Sequence, residues 1–185
     1  YPASHQGGTI MHIGEIITAD AANGIGTRVS VFVSGCLNHC KGCFQPETWD
    51  FNYGCPFTEE LIQKIISELE KPYYDGLTIL GGEPFELQNQ PDVACLIRRI
   101  KKILPEKTIW MYTGYTYDKD LIPGGCRYSK NTDEILDNID ILVDGRFIEE
   151  KKNIRLNFRG SENQRIIDMK RTRNTGKIIL SNLNN

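Results

Sequence analysis

The sequence predicts a single-domain α/β fold, an incomplete β/α barrel built on a mostly parallel sheet. Apolar runs of strand length alternate with amphipathic helical patterns, which is typical of a parallel sheet with right-handed crossovers. The chain of 185 residues is long enough to bury one substantial core. It is too short for a closed eight-stranded barrel, which needs about 250 residues.

The first predicted elements are two strands and a helix. Met11–Thr18 and Arg28–Ser34 alternate or run apolar at strand length, and a glycine-containing turn separates them at Ala21–Gly26. Thr58 is the predicted N-cap of a helix, because the two glutamates that follow it favour an amino-terminal turn. The apolar face of this helix consists of Leu61, Ile62, Ile65, Ile66 and Leu69.

The remaining predicted elements continue the alternation. The strand Gly76–Leu80 precedes a helix that begins at Pro91, and the strand Lys107–Tyr112 precedes a shorter helix at Thr132–Asn138. A last strand, Ile139–Val143, ends at an Asp-Gly pair. The apolar face of the first of these two helices consists of Val93, Leu96, Ile97 and Ile100.

Composition argues against several classes of protein. The net charge of −2 gives no general attraction to nucleic acid or to an anionic membrane. No apolar segment approaches the roughly 20 residues that span a bilayer, and no signal peptide is recognisable, so we expect a cytoplasmic protein. Tyr1–Ile10 shows no periodicity. We expect it to be a remnant of cloning or disordered, with the domain covering residues 11–185.

Three of the six cysteines are clustered, at Cys36, Cys40 and Cys43. In a chain without a signal peptide, clustered thiols indicate metal ligands in a reducing compartment rather than disulfides. The spacing C-x3-C-x2-C offers three thiolates and no obvious fourth, whereas a cubane iron–sulfur cluster contains four irons. This spacing therefore predicts a cluster in which one iron remains open to a ligand that is not protein.

Other uses of these thiols stay open at the level of sequence. A structural zinc site would combine the three cysteines with His39 or Cys55. An electron-transfer ferredoxin would need a fourth cysteine in a tight run, which this chain lacks. We expect His39 to face solvent if the fourth iron stays open. Of the scattered cysteines, we expect Cys95 to be buried in a helix, and Cys55 and Cys126 to lie at the surface.

Four unusual segments each follow the end of a predicted strand. They are the cysteine loop, Gly81–Pro84, Thr113–Tyr115 and Asp144–Gly145. The carboxyl ends of parallel strands meet at one edge of the sheet, which is where ligands bind in α/β folds. Glycine at such an edge lets the backbone approach a ligand closely. We therefore expect a ligand site there; the alternative is a set of ordinary strand-to-helix turns.

The same segments resemble a known superfamily. Asn23–Arg28, Phe32–Cys36 and Cys40–Phe44 are similar to the glycyl-radical-enzyme activases of the radical S-adenosylmethionine (SAM) superfamily, apart from Ile25, where these activases commonly carry proline. Gly81–Pro84 is similar to the superfamily motif that contacts the amino group of SAM. Within the activases, the segments that resemble the activating proteins of anaerobic ribonucleoside-triphosphate reductase are Pro46–Trp49, Trp110–Tyr115, Leu142–Phe147 and Phe158–Arg165.

The resemblance implies an oxidoreductase. One-electron reduction of SAM at a 4Fe–4S cluster would give methionine and a 5′-deoxyadenosyl radical, which would take a hydrogen atom from a glycine near the C-terminus of the reductase. The partners would be the catalytic subunit of anaerobic ribonucleoside-triphosphate reductase and a flavodoxin or ferredoxin-type electron donor. An activase of the pyruvate formate-lyase type and a small deazapurine-forming enzyme remain the alternatives within the superfamily.

The resemblance also assigns residues to the cofactors. Cys36, Cys40 and Cys43 would bind the cluster through its three protein-ligated irons. Gly42, Cys43 and Phe44 would lie against SAM, with Phe44 packed near the adenine. No side chain is expected to act as a catalytic group, since the cluster and SAM carry the chemistry.

A second group of residues would contact the methionyl end of SAM. Gly82 and Glu83 are expected there, because a carboxylate complements an ammonium group. Asp144 would contact SAM or a nearby cation, or would be a turn residue at the end of its strand. Arg28 would orient the cluster loop, face the incoming glycine segment, or form a salt bridge at the edge of a strand.

Overall fold

A computed structural model describes residues 10–184 of the chain, so the expectation for Tyr1–Ile10 lies, apart from Ile10, outside the described residues. The strands are β1 (His12–Asp20), β2 (Arg28–Val33), β3 (Cys55–Pro56), β4 (Gly76–Gly81), β5 (Thr108–Tyr112), β6 (Ile141–Asp144) and β7 (Arg165–Asp168). The helices are α1 (Glu59–Leu69), α2 (Gln90–Ile103), α3 (Tyr117–Asp120), α4 (Thr132–Asn138) and α5 (Met169–Thr175).

All seven strands belong to one open sheet with the order β3-β1-β2-β4-β5-β6-β7. The four central strands, β2, β4, β5 and β6, run parallel to one another, which confirms the predicted α/β class and the open barrel. The edges are antiparallel, with β1 and β3 on one side and β7 on the other. The sequence analysis did not predict β3 or β7, because strands this short carry little periodic signal.

The two faces of the sheet have different neighbours. Val29, Val31 and Val33 of β2 belong to the main buried cluster, together with the apolar faces of α1, α2 and α4. Successive side chains of a strand point to opposite faces. Phe32 of β2 therefore points to the other face, where it lies beside Leu80 of β4 in the strand register. This inner face forms the floor of a cavity.

The helices follow the capping signals in the sequence. Thr58 caps α1 as predicted, because its Oγ1 accepts a hydrogen bond from the Leu61 backbone at 3.3 Å. Helix α2 begins one residue before Pro91, since proline needs no hydrogen-bond acceptor in a first turn. Helix α5 was not predicted, although Asp168 caps it and Gly176 ends it with a φ of +69°. None of the helices in residues 10–184 has the length and apolar character to cross a membrane.

Arg28 occupies a place that none of the three sequence-based alternatives describes. It lies at the amino-terminal end of β2 and is only 1% exposed. Its Nε donates to Thr78 Oγ1 at 2.7 Å, and its terminal nitrogens donate to Thr108 Oγ1 and to the carbonyls of Ile25, Leu77 and Thr108. No carboxylate in the described part of the chain pairs with it, and burial lowers its pKa to about 10. Arg28 therefore connects β2, β4 and β5 through hydrogen bonds rather than through an ion pair.

Candidate functional site

The carboxyl ends of the parallel strands open onto a cavity of about 620 Å³. Each of the four segments that follow these strands contributes to its wall, through Cys36, Gly82, Thr113 and Gly145 among others. This volume lies within the range of small-molecule and cofactor sites in proteins. The prediction that these segments meet at one edge of the sheet is therefore confirmed.

The three clustered cysteines all line this cavity. They are free thiols; Cys36 is buried, whereas Cys40 and Cys43 are half-buried. The Cys43 backbone N–H donates to the Cys40 carbonyl at 3.1 Å, which turns the chain at the far end of the loop. The scattered cysteines differ in part from expectation, because Cys55 and Cys126 are exposed as predicted but Cys95 is only half-buried.

The arrangement of the thiols fits a cluster. Within the described residues, no three His, Cys, Asp or Glu side chains converge closely enough to hold one metal ion. The thiolates that bind a cubane each bind a different iron, so they surround the cluster without meeting at a point. Three free thiols on the wall of one cavity, which glycine backbone also lines, provide donors of the required kind and number.

Burial changes the protonation of one of these thiols. Burial, with a smaller contribution from Glu83, raises the pKa of the Cys36 thiol to about 12. Cys36 is therefore protonated at neutral pH in the absence of a metal. Binding of a metal by Cys36 would release this proton, because thiolate is the form of cysteine that binds metals.

His39 lies between two of the cysteines, but its ring packs elsewhere. It stacks on Trp49 with ring centroids 4.6 Å apart and planes inclined by 21°. Its backbone has a φ of +45°, in the left-handed region. Among the described residues, His39 is not part of the cavity wall. This placement supports the expectation that His39 does not supply a fourth ligand.

Two glycines let the cysteine loop and the loop after β4 approach each other closely. Gly82 N–H donates to the Val33 carbonyl at 2.7 Å, and Glu83 N–H donates to the Gly35 carbonyl at 2.9 Å. A Cβ atom on Gly82 would lie 2.8 Å from the Gly35 oxygen and 2.9 Å from the Thr48 oxygen. Gly35 itself has a φ of +99°, which glycine adopts readily and other residues do not.

Glu83 is buried, and its carboxylate is bound within the protein. Oε1 accepts hydrogen bonds from the Phe85 backbone at 2.9 Å and from Thr113 Oγ1 at 2.8 Å. Oε2 accepts a bond from the Gly114 backbone at 2.7 Å. These bonds connect the loop after β4 to the loop after β5. Glu83 therefore braces the rim of the cavity.

Stability of the cluster-free protein is expected to depend on the protonation of Glu83. Burial raises the pKa of Glu83 from 4.5 to about 7. Because this pKa is higher in the folded state, the stabilisation is complete below about pH 4.5 and is lost as the pH rises through 7. We expect urea unfolding to show up to about 3 kcal/mol more stability at pH 5 than at pH 8, and Glu83→Gln to flatten this difference. An equal pH dependence in Glu83→Gln would contradict the assignment, and Glu134→Gln is the surface control.

The predicted contacts to SAM differ in how far the structure supports them. Phe44 lies on the cavity wall and is 69% exposed, with the ring of Phe147 centred 5.5 Å away and Lys152 Nζ 5.2 Å from its centroid. Most of its ring is therefore available to a ligand. Gly42 is not part of the wall formed by the described residues, and a Cβ atom on it would lie 3.1 Å from Glu149 Oε1.

Asp144 is engaged in contacts away from the cavity. Its Oδ2 accepts the Tyr117 backbone N–H at 2.8 Å, and both of its oxygens accept hydrogen bonds from Arg165 at 2.6–2.9 Å. Arg165 also pairs with Asp118 at 2.8 Å. Among the described residues, Asp144 does not line the cavity. These contacts favour the structural alternative, in which Asp144 joins β6, β7 and the start of α3.

The segment after β6 closes one side of the cavity. Phe147, Leu156 and Phe158 contribute apolar wall, which the sequence analysis did not assign. Gln164 holds this segment in place: its Oε1 accepts from the Gly160 and Ser161 backbones, and its Nε2 donates to the Gly145 carbonyl. The signal available in the sequence was the block Phe158–Arg165, which is rich in glycine and amide side chains. Its contacts follow no regular period, so they could not be predicted from the sequence.

Known proteins with similar sequences define the class and the family of this chain. A family model described as "4Fe-4S single cluster domain" matches residues 22–167, in agreement with the cluster-like arrangement of thiols. Relatives named "Anaerobic ribonucleoside-triphosphate reductase-activating protein" include one from Salmonella typhimurium, 40% identical over 78% of this chain and 90% of its own length. Those from Escherichia coli K12 and phage T4 are 37% and 36% identical, over 83% and 84% of this chain and 96% and 93% of their own lengths. The chain therefore belongs to the family of anaerobic ribonucleoside-triphosphate reductase-activating proteins.

Proposed function

We propose that the chain activates an anaerobic ribonucleoside-triphosphate reductase by installing a glycyl radical. The observation that carries this proposal is the set of three free thiols that line one cavity together with glycine backbone, in a chain of this family. When bound, the 4Fe–4S cluster and SAM supply the radical chemistry, giving methionine and a 5′-deoxyadenosyl radical that takes a hydrogen atom from a glycine near the C-terminus of the reductase.

The chain's own residues hold and enclose these groups. Cys36, Cys40 and Cys43 would hold the cluster through their thiolates, and the iron without a protein ligand would be available to SAM. Gly82 brings backbone close to the methionyl end, because it carries no side chain at the point where the two loops touch. Phe44 provides a ring face for the adenine. Glu83 contributes by fixing the rim on which SAM rests.

The apolar segment after β6 supports confinement of the radical. A primary alkyl radical reacts with almost any C–H bond it meets, so the site must exclude water and stray hydrogen donors. Phe147, Leu156 and Phe158 form apolar wall on that side of the cavity. The sheet is open, so a segment of the reductase can approach from the side.

The proposal also includes the electron donor and the enzyme that receives the radical. The electron is supplied by a flavodoxin or ferredoxin-type protein, which is the usual donor for this chemistry. Activation of a pyruvate formate-lyase type enzyme is the second candidate, since the cysteine loop alone is common to the superfamily. The block Phe158–Arg165, which resembles the reductase activases, and the relatives named as activating proteins of that reductase favour the reductase.

The proposal is tested under anaerobic conditions with the full chain. The protein is reconstituted with iron and sulfide, reduced with dithionite and incubated with SAM, alone and with the reductase. We expect 5′-deoxyadenosine in both cases and a glycyl radical in the electron paramagnetic resonance spectrum only with the reductase. A parallel incubation with pyruvate formate-lyase is expected to give no radical. A reduced cluster that forms no 5′-deoxyadenosine in either sample would overturn the proposal.

A further inference from the structure

We propose that Glu86, held by Arg127 and Tyr115, is a positioning residue that fixes the backbone directly after the cluster ligand Cys36. Glu86 lies in the loop after β4, three residues beyond Glu83, and is only 2% exposed. It is not part of the predicted SAM site. The inference rests on the proposed binding of a cluster by Cys36.

The carboxylate of Glu86 binds three separate segments of the chain. Oε1 accepts the Leu37 backbone N–H at 2.9 Å and the Tyr115 hydroxyl at 2.9 Å. Oε2 accepts from Arg127 Nε at 3.1 Å. The Arg127 guanidinium also lies over the Tyr115 ring, 4.6 Å from its centroid. One carboxylate therefore joins the cysteine loop, the turn after β5 and the segment that leads to α4.

The segment that carries Arg127 is itself anchored. The Arg127 backbone N–H donates to the Asp120 carbonyl at 3.0 Å, and the Arg127 carbonyl accepts from Gln90 Nε2 at 2.7 Å. Gln90 is fully buried at the start of α2. The guanidinium therefore approaches Glu86 from a fixed backbone. Glu86 is buried and Arg127 is half-buried, and a charge-assisted hydrogen bond between such pre-positioned groups is stronger and more directional than an exposed ion pair.

The contact to Leu37 bears directly on the cluster. Hydrogen bonds to sulfur help to set the reduction potential of a cluster, and the backbones of Asn38 and His39 make such bonds to Cys36. Here the Leu37 N–H is committed to Glu86 instead. Asn89 supports the preceding residues in the same way, since its Nδ2 donates to the Ser34 carbonyl at 3.0 Å. The loop after β4 thus holds the backbone on both sides of Cys36.

The opposite charges of Glu86 and Arg127 predict opposite changes in the reduction potential of the cluster. Net charge near a cluster shifts its reduction potential, and a negative charge makes reduction harder. Loss of the Glu86 charge should move the midpoint potential to more positive values, and loss of the Arg127 charge should move it to more negative values. The two effects should largely cancel when both charges are removed. A role in folding alone would not produce shifts of opposite sign.

The test compares Glu86→Gln, Arg127→Met and the double variant with wild type, all reconstituted with iron and sulfide. Glu134→Gln, which breaks the surface pair with Arg98, is the matched control. The midpoint potential is measured by anaerobic redox titration, and iron release is followed after addition of a chelator. We expect potential shifts of opposite sign in the single variants and iron release about fivefold faster than in wild type, the factor that corresponds to one lost hydrogen bond.

The redox titration and the iron-release assay can each overturn the proposed role of Glu86. Potentials and iron release equal to wild type in both single variants would overturn it, as would shifts of the same sign. If Glu86→Gln does not fold, Tyr115→Phe removes one bond to the same carboxylate without changing charge. Faster iron release in that variant supports the inference, and an unchanged rate overturns it. A wild-type chain that takes up no cluster would instead contradict the proposed function.

Discussion

Replacement of any one of Cys36, Cys40 and Cys43 by alanine is expected to reduce SAM cleavage by more than about 100-fold. Changes in the outer shell of a metal site already cost about 10–100-fold, and loss of a ligand costs more. Each of these cysteines lines the cavity, and none forms a disulfide. The variant would retain two thiolates for a cubane that has four irons. The measurements are iron and sulfide content after reconstitution and the yield of 5′-deoxyadenosine.

Matched controls come from the scattered cysteines. Cys55 and Cys126 are exposed and lie away from the cavity wall formed by the described residues. Cys55→Ala and Cys126→Ala are therefore expected to keep wild-type cluster content and wild-type cleavage. Full activity in Cys40→Ala would show that the cluster has different ligands. Loss of the cluster in Cys126→Ala would show that the assignment of the three ligands is incomplete.

Replacement of Arg28 by alanine is expected to cause the largest loss of stability, about 3–5 kcal/mol. The substitution empties a buried volume and leaves carbonyl and hydroxyl groups without their donor, and both effects destabilise. The guanidinium makes five hydrogen bonds to groups on or next to β2, β4 and β5, and it lies 5.5 Å from the ring centroid of Trp110. Urea unfolding of the cluster-free protein, with Arg28→Lys in parallel, measures the effect.

The lysine variant separates charge from geometry. Lysine keeps the positive charge but has one ammonium group, which cannot reproduce the planar set of donors of arginine. We expect Arg28→Lys to recover less than half of the stability lost in Arg28→Ala. Because Arg28 lies at the opposite end of β2 from Cys36, folded samples of both variants should still bind the cluster. Loss of the cluster in a variant of unchanged stability would instead support a role in orienting the cysteine loop.

The parts of the fold that were predictable depend on local signals. The cap at Thr58, the apolar face of α1 and the bounds of α4 each arise from residues within a few positions of one another. The same is true of the cysteine motif, because all three proposed ligands lie in one loop. By contrast, the sequence patterns of β7 and α5 are short. Strand β7 pairs with β6 and, at Ile167, with Leu180 near the end of the chain, so its position depends on residues that are distant in the sequence.

The candidate site shows the same division. The placement of Gly82 and Thr113 on one rim followed from the rule that parallel strands end at a common edge, and the structure confirms it. Three acidic residues could not be assigned in this way. Glu83, Glu86 and Asp144 all follow or end a strand, but their carboxylates bind partners 21–49 residues away in the sequence as well as near ones. Which partner an acidic side chain meets depends on the packing of several loops.

The class of fold, the number and spacing of the clustered thiols, and the edge of the sheet on which they lie all follow from the sequence alone. These features depend on periodicity and on local spacing, which do not depend on how the elements pack together. Three further features depend on the packing of the folded chain: Arg28 joins strands without an ion pair, Glu83 braces the rim, and Glu86 and Arg127 contact the backbone beside Cys36. A buried charge is stable only where several distant groups satisfy it together, so its role emerges when the packing is complete.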